Sequence, residues 1–392
     1  MSYKLTLRTL TLVSTLILAL SLIPTLRRLT LLTHHIAPTM TYTREQQIAL
    51  LAVQRAAILT KAVYKTSAKG TLSKSDASPV TVGDFGAQAL IISALKHNFP
   101  DDEIVAEEEA SDLRSNTALR DQIWAHVQET RLQDEDAEKE LGGPIPSVER
   151  MVDVIDMGGS KGGASGRIWT IDPIDGTKGF LRGGQYAVCL ALLVDGQVKV
   201  GVLGCPNLPV DDTARLEASI GQDQTDEGKG VLFSAIEGQG ALSRPLTDGP
   251  LADGKKIAMR GVTDIAKAIF CESVEAGHSS HGDQAAIAKK LGITNASVRM
   301  DSQAKYGSIA RGAGDLYLRL PVSQTYQEKI WDHAAGVVIV NEAGGKVTDV
   351  AGKPLDFSKG RTLADNKGVV AAPKDVHEQV LAAVKDVLGV KA

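Results

Sequence analysis

Apolar residues recur with a helical period where the chain first reads as folded. Ile48, Leu51, Leu59, Ala62 and Val63 follow Thr43 and Gln46, which stand three apart as in a capping box. A helix from Thr43 is predicted. A second is predicted over 85–99, stopped by Pro100 and Asp101-Asp102. Ile104, Val105 and Ala106 then read as a short buried strand that carries Glu107, Glu108 and Glu109 to its end. From 111 to about 166 the chain is charged, then glycine-rich. An inserted helix or two and a surface loop are expected there, with the run 134–140 a solvated helix face.

Residues 167–171 predict a strand, and 187–194 and 198–203 a hairpin turned by Asp195-Gly196. Gly204-Cys205-Pro206-Asn207 interrupts this pattern and marks an expected domain boundary. The second half alternates strands (231–235, 268–271, 316–320) with helices (284–291, 332–343), the last ended by Gly344-Gly345. The organisation expected is an α+β domain over 41–205 and an α/β domain over 206–392.

The first forty residues differ in kind. Lys4, Arg8, Arg27 and Arg28 flank a Leu-, Thr- and Ser-rich run, and no acidic residue precedes Glu45. Ser14, Thr15, Ser21 and Pro24 interrupt the run, so it makes a poor membrane span. Three readings fit this extension: a mitochondrial presequence, a signal peptide or anchor, or a start upstream of Met40 as working initiator. The expected location is intracellular, cytoplasmic or mitochondrial according to which of these holds.

The 392 residues are 43% hydrophobic, enough to fill two cores and to exclude general disorder. A net charge of −4, 4% aromatics and the lack of a basic stripe argue against nucleic acid as a partner. No obligatory protein partner is evident. Cys189, Cys205 and Cys271 stand far apart and read as buried thiols in a reducing compartment.

The most informative segment runs Trp169-Thr170-Ile171-Asp172-Pro173-Ile174-Asp175-Gly176-Thr177-Lys178-Gly179. Two carboxylates three residues apart follow an apolar strand, with Pro173 in the turn between them. Gly176 lets backbone approach a ligand, and Thr177 opens a helix whose free amides favour an anion. Hard oxygen ligands beside an anion site suit magnesium bridging to phosphate.

This segment resembles the signature of the lithium-sensitive, magnesium-dependent phosphatases typified by inositol monophosphatase. Ser78-Pro79-Val80-Thr81-Val82-Gly83-Asp84 and Trp331-Asp332-His333-Ala334-Ala335-Gly336 with Glu342-Ala343-Gly344-Gly345 match that superfamily too. Gly277-His278-Ser279-Ser280-His281, Asp301-Ser302-Gln303-Ala304-Lys305-Tyr306 and Tyr317-Leu318-Arg319-Leu320-Pro321 are similar to its 3′(2′),5′-bisphosphate nucleotidase branch. The resemblance covers the chain from about Met40 onward.

It implies a layered αβαβα sandwich with the active site between the two domains. It implies Mg²⁺ held by Glu107, Asp172, Asp175, Asp332 and the carbonyl of Ile174, with Asp84 and Thr177 relaying a proton from the attacking water. Thr177, His278, Ser302, Lys305, Arg319 and Asp332 would bind the substrate. The implied reaction is hydrolysis of adenosine 3′,5′-bisphosphate to AMP and phosphate. 3′-Phosphoadenylyl sulfate would be a further substrate, with links to sulfate assimilation and salt tolerance. The alternatives are an inositol phosphate phosphatase and a nucleotide-binding or metal-sensing protein without activity.

Read alone, Asp84 is a helix N-cap before Phe85, and Lys305 and Arg319 are surface charges. His333 has a weaker claim, beside a ligand. The sequence departs from the family in one place: Ala106 stands where glycine is usual. Three consecutive glutamates then leave the ligand register open, with Glu107 the expected ligand and Glu108 an acid beside it.

Overall fold

The computed structural model describes residues 41–68, 79–213, 215–216, 227–277, 279–323 and 325–390. Among these, a first sheet runs in the spatial order β1 (Glu103–Ala106), β2 (Arg167–Asp175), β3 (Ala187–Val194), β4 (Gln197–Pro209), β5 (Lys229–Ile236), β6 (Gly240–Pro245) and β7 (Lys255–Ile257). β1 and β2 are parallel, and each later neighbour is antiparallel. A second sheet is built from β8 (Phe270–Glu272), β9 (Val298–Arg299), β10 (Leu316–Arg319), β11 (Gly345–Thr348) and β12 (Val369–Pro373), ordered β11-β12-β10-β8-β9.

Both faces of the first sheet are buried, so its strands read as continuous apolar runs. Successive side chains still part company, because the pleat has period two. Val188, Leu190 and Leu192 of β3 join a core with Ile48, Leu51, Ala87 and Ile91 of the helices Thr43–Ala68 and Pro79–Asn98. Ala187, Cys189, Ala191 and Leu193 join another with Ile309 and Val338 of the helices Ala304–Ala310 and Ala334–Glu342. Those same helices meet Cys271, Tyr317 and Ala371 of the second sheet. The second sheet's opposite face, through Phe270, Leu316, Leu318 and Val370, packs on Ile287, Val380 and Val384 of the helices His281–Leu291 and His377–Leu388. The layers are therefore αβαβα, as expected.

Three sequence expectations shift. The second helix begins at Pro79, where proline's missing N–H costs nothing, so Asp84 lies inside it and is not an N-cap. The boundary expected at Cys205 falls within β4, which continues to Pro209 between β3 and β5, and the first sheet ends only at Ile257. A ladder irregularity between Cys205 and Pro209 absorbs Pro206, which has no N–H to give. Residues 42–392 form one compact unit.

The charged insertion holds four helices, Ser111–Ser115, Thr117–Glu129, Glu135–Glu140 and Val148–Asp156. Leu119, Ile123, Met151 and Ile155 from them cover the outer side of the helix Pro79–Asn98. The three cysteines are free and buried. Residues 1–40 and His278 lie outside the described residues. Among the described residues, no helix is long and apolar enough to cross a membrane.

Candidate active site

The parallel pairing of β1 with β2 sets Ala106 beside Ile171, so the next residues, Glu107 just past β1 and Asp172 within β2, are neighbours. The β2–β3 ladder is irregular between Asp172 and Asp175, where Pro173 interrupts β2's donors. That turn brings Asp175 to the same cleft. Asp332 arrives from the single 3₁₀ turn Ile330–Asp332 before the helix Ala334–Glu342. The cleft is about 750 Å³, and Glu107, Asp172, Ile174, Asp175, Thr177 and Asp332 lie on its wall with Ser302, Lys305 and Arg319.

Neither Glu108 nor Glu109 lies on that wall. The backbone of Glu108 is held by Gln88, whose Nε2 donates to its carbonyl (2.8 Å) and whose Oε1 accepts its amide (3.0 Å). Of the three consecutive glutamates, Glu107 is the one that lines the cleft. Ala106 also has a local reason. A Cβ on Gly158 would sit 2.7 Å from the Ala106 Cβ, so the small residue opposite leaves room for this methyl.

Four carboxylates in one place resist ionisation. Burial first, then Glu107, Asp175 and Asp332, hold Asp172 well above the usual carboxylate range. Burial and Asp332 push Asp175 up to about 7, against the pull of Lys305. Glu107 is open to the cleft, yet the surrounding protein and the charges of Asp332, Glu108 and Asp175 push it up to about 8. Asp172 Oδ1 is buried with no hydrogen-bond partner among the described residues. An orphan anionic oxygen among hard oxygen donors fits a divalent cation. Cys189 Sγ lies 4.0 Å from Asp175 Oδ2, but burial and the nearby carboxylates push its thiol well up, so it remains neutral.

Asp84 is buried and does not line the cleft. Its tie to the site is electrostatic: burial, then Glu108 and Glu107, hold it well above its ordinary value. Gly83 fixes its position, since a Cβ there would lie 2.6 Å from Ile174 Cδ1. Only glycine lets the helix approach the β2 turn so closely. Gly83→Ala is accordingly expected to cost about 1–3 kcal/mol by overpacking and to lower turnover with it. Gly282, also helical but with open space at its Cβ, is the control: Gly282→Ala should be neutral or stabilising in urea unfolding.

Thr177 is exposed on the cleft and opens the short helix Thr177–Arg182 after Gly176, whose φ is +90°. The segment 301–303 presses on that turn: a Cβ on Gly176 would lie 2.9 Å from Ser302 Cβ, and one on Gly179 2.8 Å from Asp301 Cβ. Ser302, at φ +67°, accepts the amide of Ala304 on its Oγ at 3.1 Å.

Lys305 and Arg319, which read alone as surface charges and by resemblance as substrate-binding residues, are enclosed. The ammonium of Lys305 donates to the carbonyls of Met300 (3.1 Å) and Ser302 (2.8 Å) and lies 5.2 Å from the centre of the Tyr317 ring. Burial lowers it to about 8, with Asp175 and Asp301 opposing. Arg319 pairs with Glu328 at 2.8 Å and reaches Asp332 at 3.7 Å. Burial disfavours its charge, but Glu328, Tyr317 and Asp332 outweigh it and hold the guanidinium firmly charged.

Sequence reasoning missed Glu328 and the work of Gln303. Glu328 accepts from Arg319 and lies 3.3 Å from His333 Nε2, while His333 Nδ1 is 2.9 Å from the Tyr306 hydroxyl. Burial would raise Glu328, yet His333 and Arg319 draw it down to about 2. His333 is thus a buried bridge between Tyr306 and Glu328, and its ring, the Glu328 carboxylate and the Asp332 carboxylate come within 4.8 Å of one another. Gln303 donates its amide to Asp175 Oδ2 (2.6 Å) and its side-chain amide to the Trp331 carbonyl (2.7 Å), and accepts from Gly336 (2.9 Å). It joins the segments that carry Asp175 and Asp332. Gln303 stood inside a motif already noted, Asp301 to Tyr306, whereas Glu328 lay outside every one of them.

Comparisons with known proteins agree with this geometry. A 3′(2′),5′-bisphosphate nucleotidase of Emericella nidulans is 67% identical over 350 residues, 89% of this chain and 99% of that protein. One of Schizosaccharomyces pombe is 50% identical over 349 residues, covering 88% and 96%. Among solved structures, an inositol monophosphatase from Zymomonas mobilis aligns with a TM-score of 0.54 at 18% identity, covering 88% of this chain and 99% of that one, a likeness of fold. The family profile described as "Inositol monophosphatase family" matches residues 41–388, and the chain belongs to that family.

Proposed function

We propose that this protein hydrolyses the 3′-phosphate of adenosine 3′,5′-bisphosphate to AMP and phosphate, with magnesium as its metal. The observation that carries this reading is a cleft in which four carboxylates face two enclosed cations, in a chain 67% identical to a protein named for that substrate class. Glu107, Asp172, Asp175, Asp332 and the carbonyl of Ile174 would hold the metal, the family being metal-dependent. When bound, magnesium supplies charge stabilisation at the phosphate oxygens and acidifies water.

The chain's own residues do the rest. The Thr177 hydroxyl takes the proton of the attacking water and passes it to Asp84, whose burial makes it a stronger base than an exposed carboxylate. Gly176, in a left-handed conformation on the cleft wall, opens the short helix beside the phosphate in this reading. Arg319, kept charged by Glu328, and Lys305 attract the phosphate that is not cleaved, with Ser302 beside them. His278 belongs to the same substrate group in this reading.

Phosphate release from a panel tests it: adenosine 3′,5′-bisphosphate, 3′-phosphoadenylyl sulfate, adenosine 3′-monophosphate and inositol monophosphate, with and without Mg²⁺. Release should require Mg²⁺ and favour the bisphosphate. Preference for the inositol phosphate would overturn the substrate assignment. Arg319→Ala sharpens the test. Loss of one charge-assisted contact, about 1.5–3 kcal/mol, should lower kcat/KM for the bisphosphate by about tenfold to a hundredfold. The monophosphate, which lacks that contact, should change far less. An unchanged ratio of the two would remove Arg319 from the substrate site.

A further inference from the structure

The chain between β11 and β12 crosses back to the first sheet and packs there. A Cβ on Gly162 would lie 3.1 Å from the Gly360 backbone, and one on Gly196 2.8 Å from Ser358 Cβ. Arg361 sits in this crossing. One of its terminal nitrogens donates to the carbonyl of Ala106 at 2.6 Å, the other to the carbonyl of Ser160 at 3.0 Å. Its guanidinium carbon also stands 4.9 Å from the centre of the Trp331 ring. The backbone around it is pinned: Ile330 donates to the Arg361 carbonyl (3.2 Å), Leu363 donates to the Glu328 carbonyl (2.8 Å), and Lys329 bridges Thr362.

Ala106 directly precedes Glu107, and Trp331 directly precedes Asp332. A single guanidinium therefore holds the backbone just before Glu107 and stands over the indole ring just before Asp332, one contact in each half of the chain. We infer that Arg361 is a positioning residue for the metal site, setting the separation of Glu107 and Asp332. The inference rests on the metal reading proposed above. Like charges on the two segments push them apart, and the forked hydrogen bond with the cation–π contact opposes that push. The charge of Arg361 also attracts Glu109 and Glu107. Arg361 touches neither the cleft wall nor the cations assigned to the substrate, so its loss should act on metal affinity and leave nucleotide affinity alone.

The test titrates Mn²⁺ into wild type, Arg361→Ala, Arg361→Lys and Asp332→Asn, reading free Mn²⁺ by electron spin resonance, and then measures KM for the bisphosphate at saturating Mg²⁺. Arg361→Ala should need about tenfold more Mn²⁺, as for other residues that orient metal ligands. Lysine, which keeps the charge but has no fork, should fall between alanine and wild type. KM at saturating metal should hold within about twofold. A folded Arg361→Ala with wild-type Mn²⁺ affinity overturns the inference, as does a raised KM with Mn²⁺ affinity intact. Should the alanine variant not fold, the lysine variant is judged on the same two readings. Wild type that takes up no Mn²⁺ would sink the metal reading itself. Tight wild-type binding, lost in Asp332→Asn but kept in both Arg361 variants, would sink only the role of Arg361.

Discussion

Asp172→Asn is expected to fold normally and to lose turnover by about 10³-fold or more, the order seen when a directly acting electrostatic group is removed. Asp172 is buried, its Oδ1 has no partner among the described residues, and three further carboxylates surround it. Nothing in the fold needs its charge, so the substitution relieves repulsion in the metal-free protein. The pH dependence has a definite sign. Asp175 and Glu107 are raised to about 7 and about 8 in the folded chain, against about 4 when unfolded. A carboxyl with a raised folded value supports the fold while protonated in both states, and that support is lost as pH climbs through the folded value. Metal-free wild type should therefore melt at progressively lower temperature between about pH 4 and pH 8. Mg²⁺ should raise its melting temperature more at pH 8 than at pH 5, because it replaces the missing protons. In Asp172→Asn both the slope and the Mg²⁺ response should shrink. Wild-type turnover of this variant at saturating Mg²⁺ would remove Asp172 from the metal site.

The parts of the site legible in the sequence are those where one segment carries its own chemistry. Asp172 and Asp175 follow an apolar strand within four residues, and Asp332 opens a helix that glycines close. Their grouping depends on the β1–β2 register, which pattern alone does not give. Glu328 and Gln303 stayed hidden for a different reason. Each acts through partners far away in the chain, Arg319 and His333 for one and Asp175, Trp331 and Gly336 for the other. A lone Glu in a polar stretch looks like solvated surface. Lys305 and Arg319 were similarly invisible as enclosed cations, because enclosure is a property of packing. The layered fold came from the resemblance of its motifs to a known family, while the alternation of strands and helices alone gave only an α/β second half. The run of β4 past Pro206 was not readable, since the ladder to β5 is irregular between Cys205 and Pro209 and passes over the proline, which the sequence of one strand does not show.

The second large effect is expected at the proposed proton relay. Asp84→Asn removes the acceptor, and Thr177→Val removes the hydroxyl while keeping the shape. Each should lower kcat by about 10²–10⁴-fold, the range for positioned proton transfer. Thr177→Ser, which restores the hydroxyl, should recover most of the loss. Asp84 and Thr177 differ in setting: one is buried in the helix Pro79–Asn98, the other exposed on the cleft. If both serve one proton path, the second removal has nothing left to break. The double variant should then be about as slow as the slower single one, whereas independent contributions would multiply. Mn²⁺ affinity separates this from damage to the metal site. Asp84→Asn withdraws a negative charge that raises its neighbour Asp172, so metal binding should hold or weaken slightly, and Thr177→Val should not alter it. Multiplicative losses in kcat, with both single variants binding Mn²⁺ like wild type, would show two separate roles and end the relay.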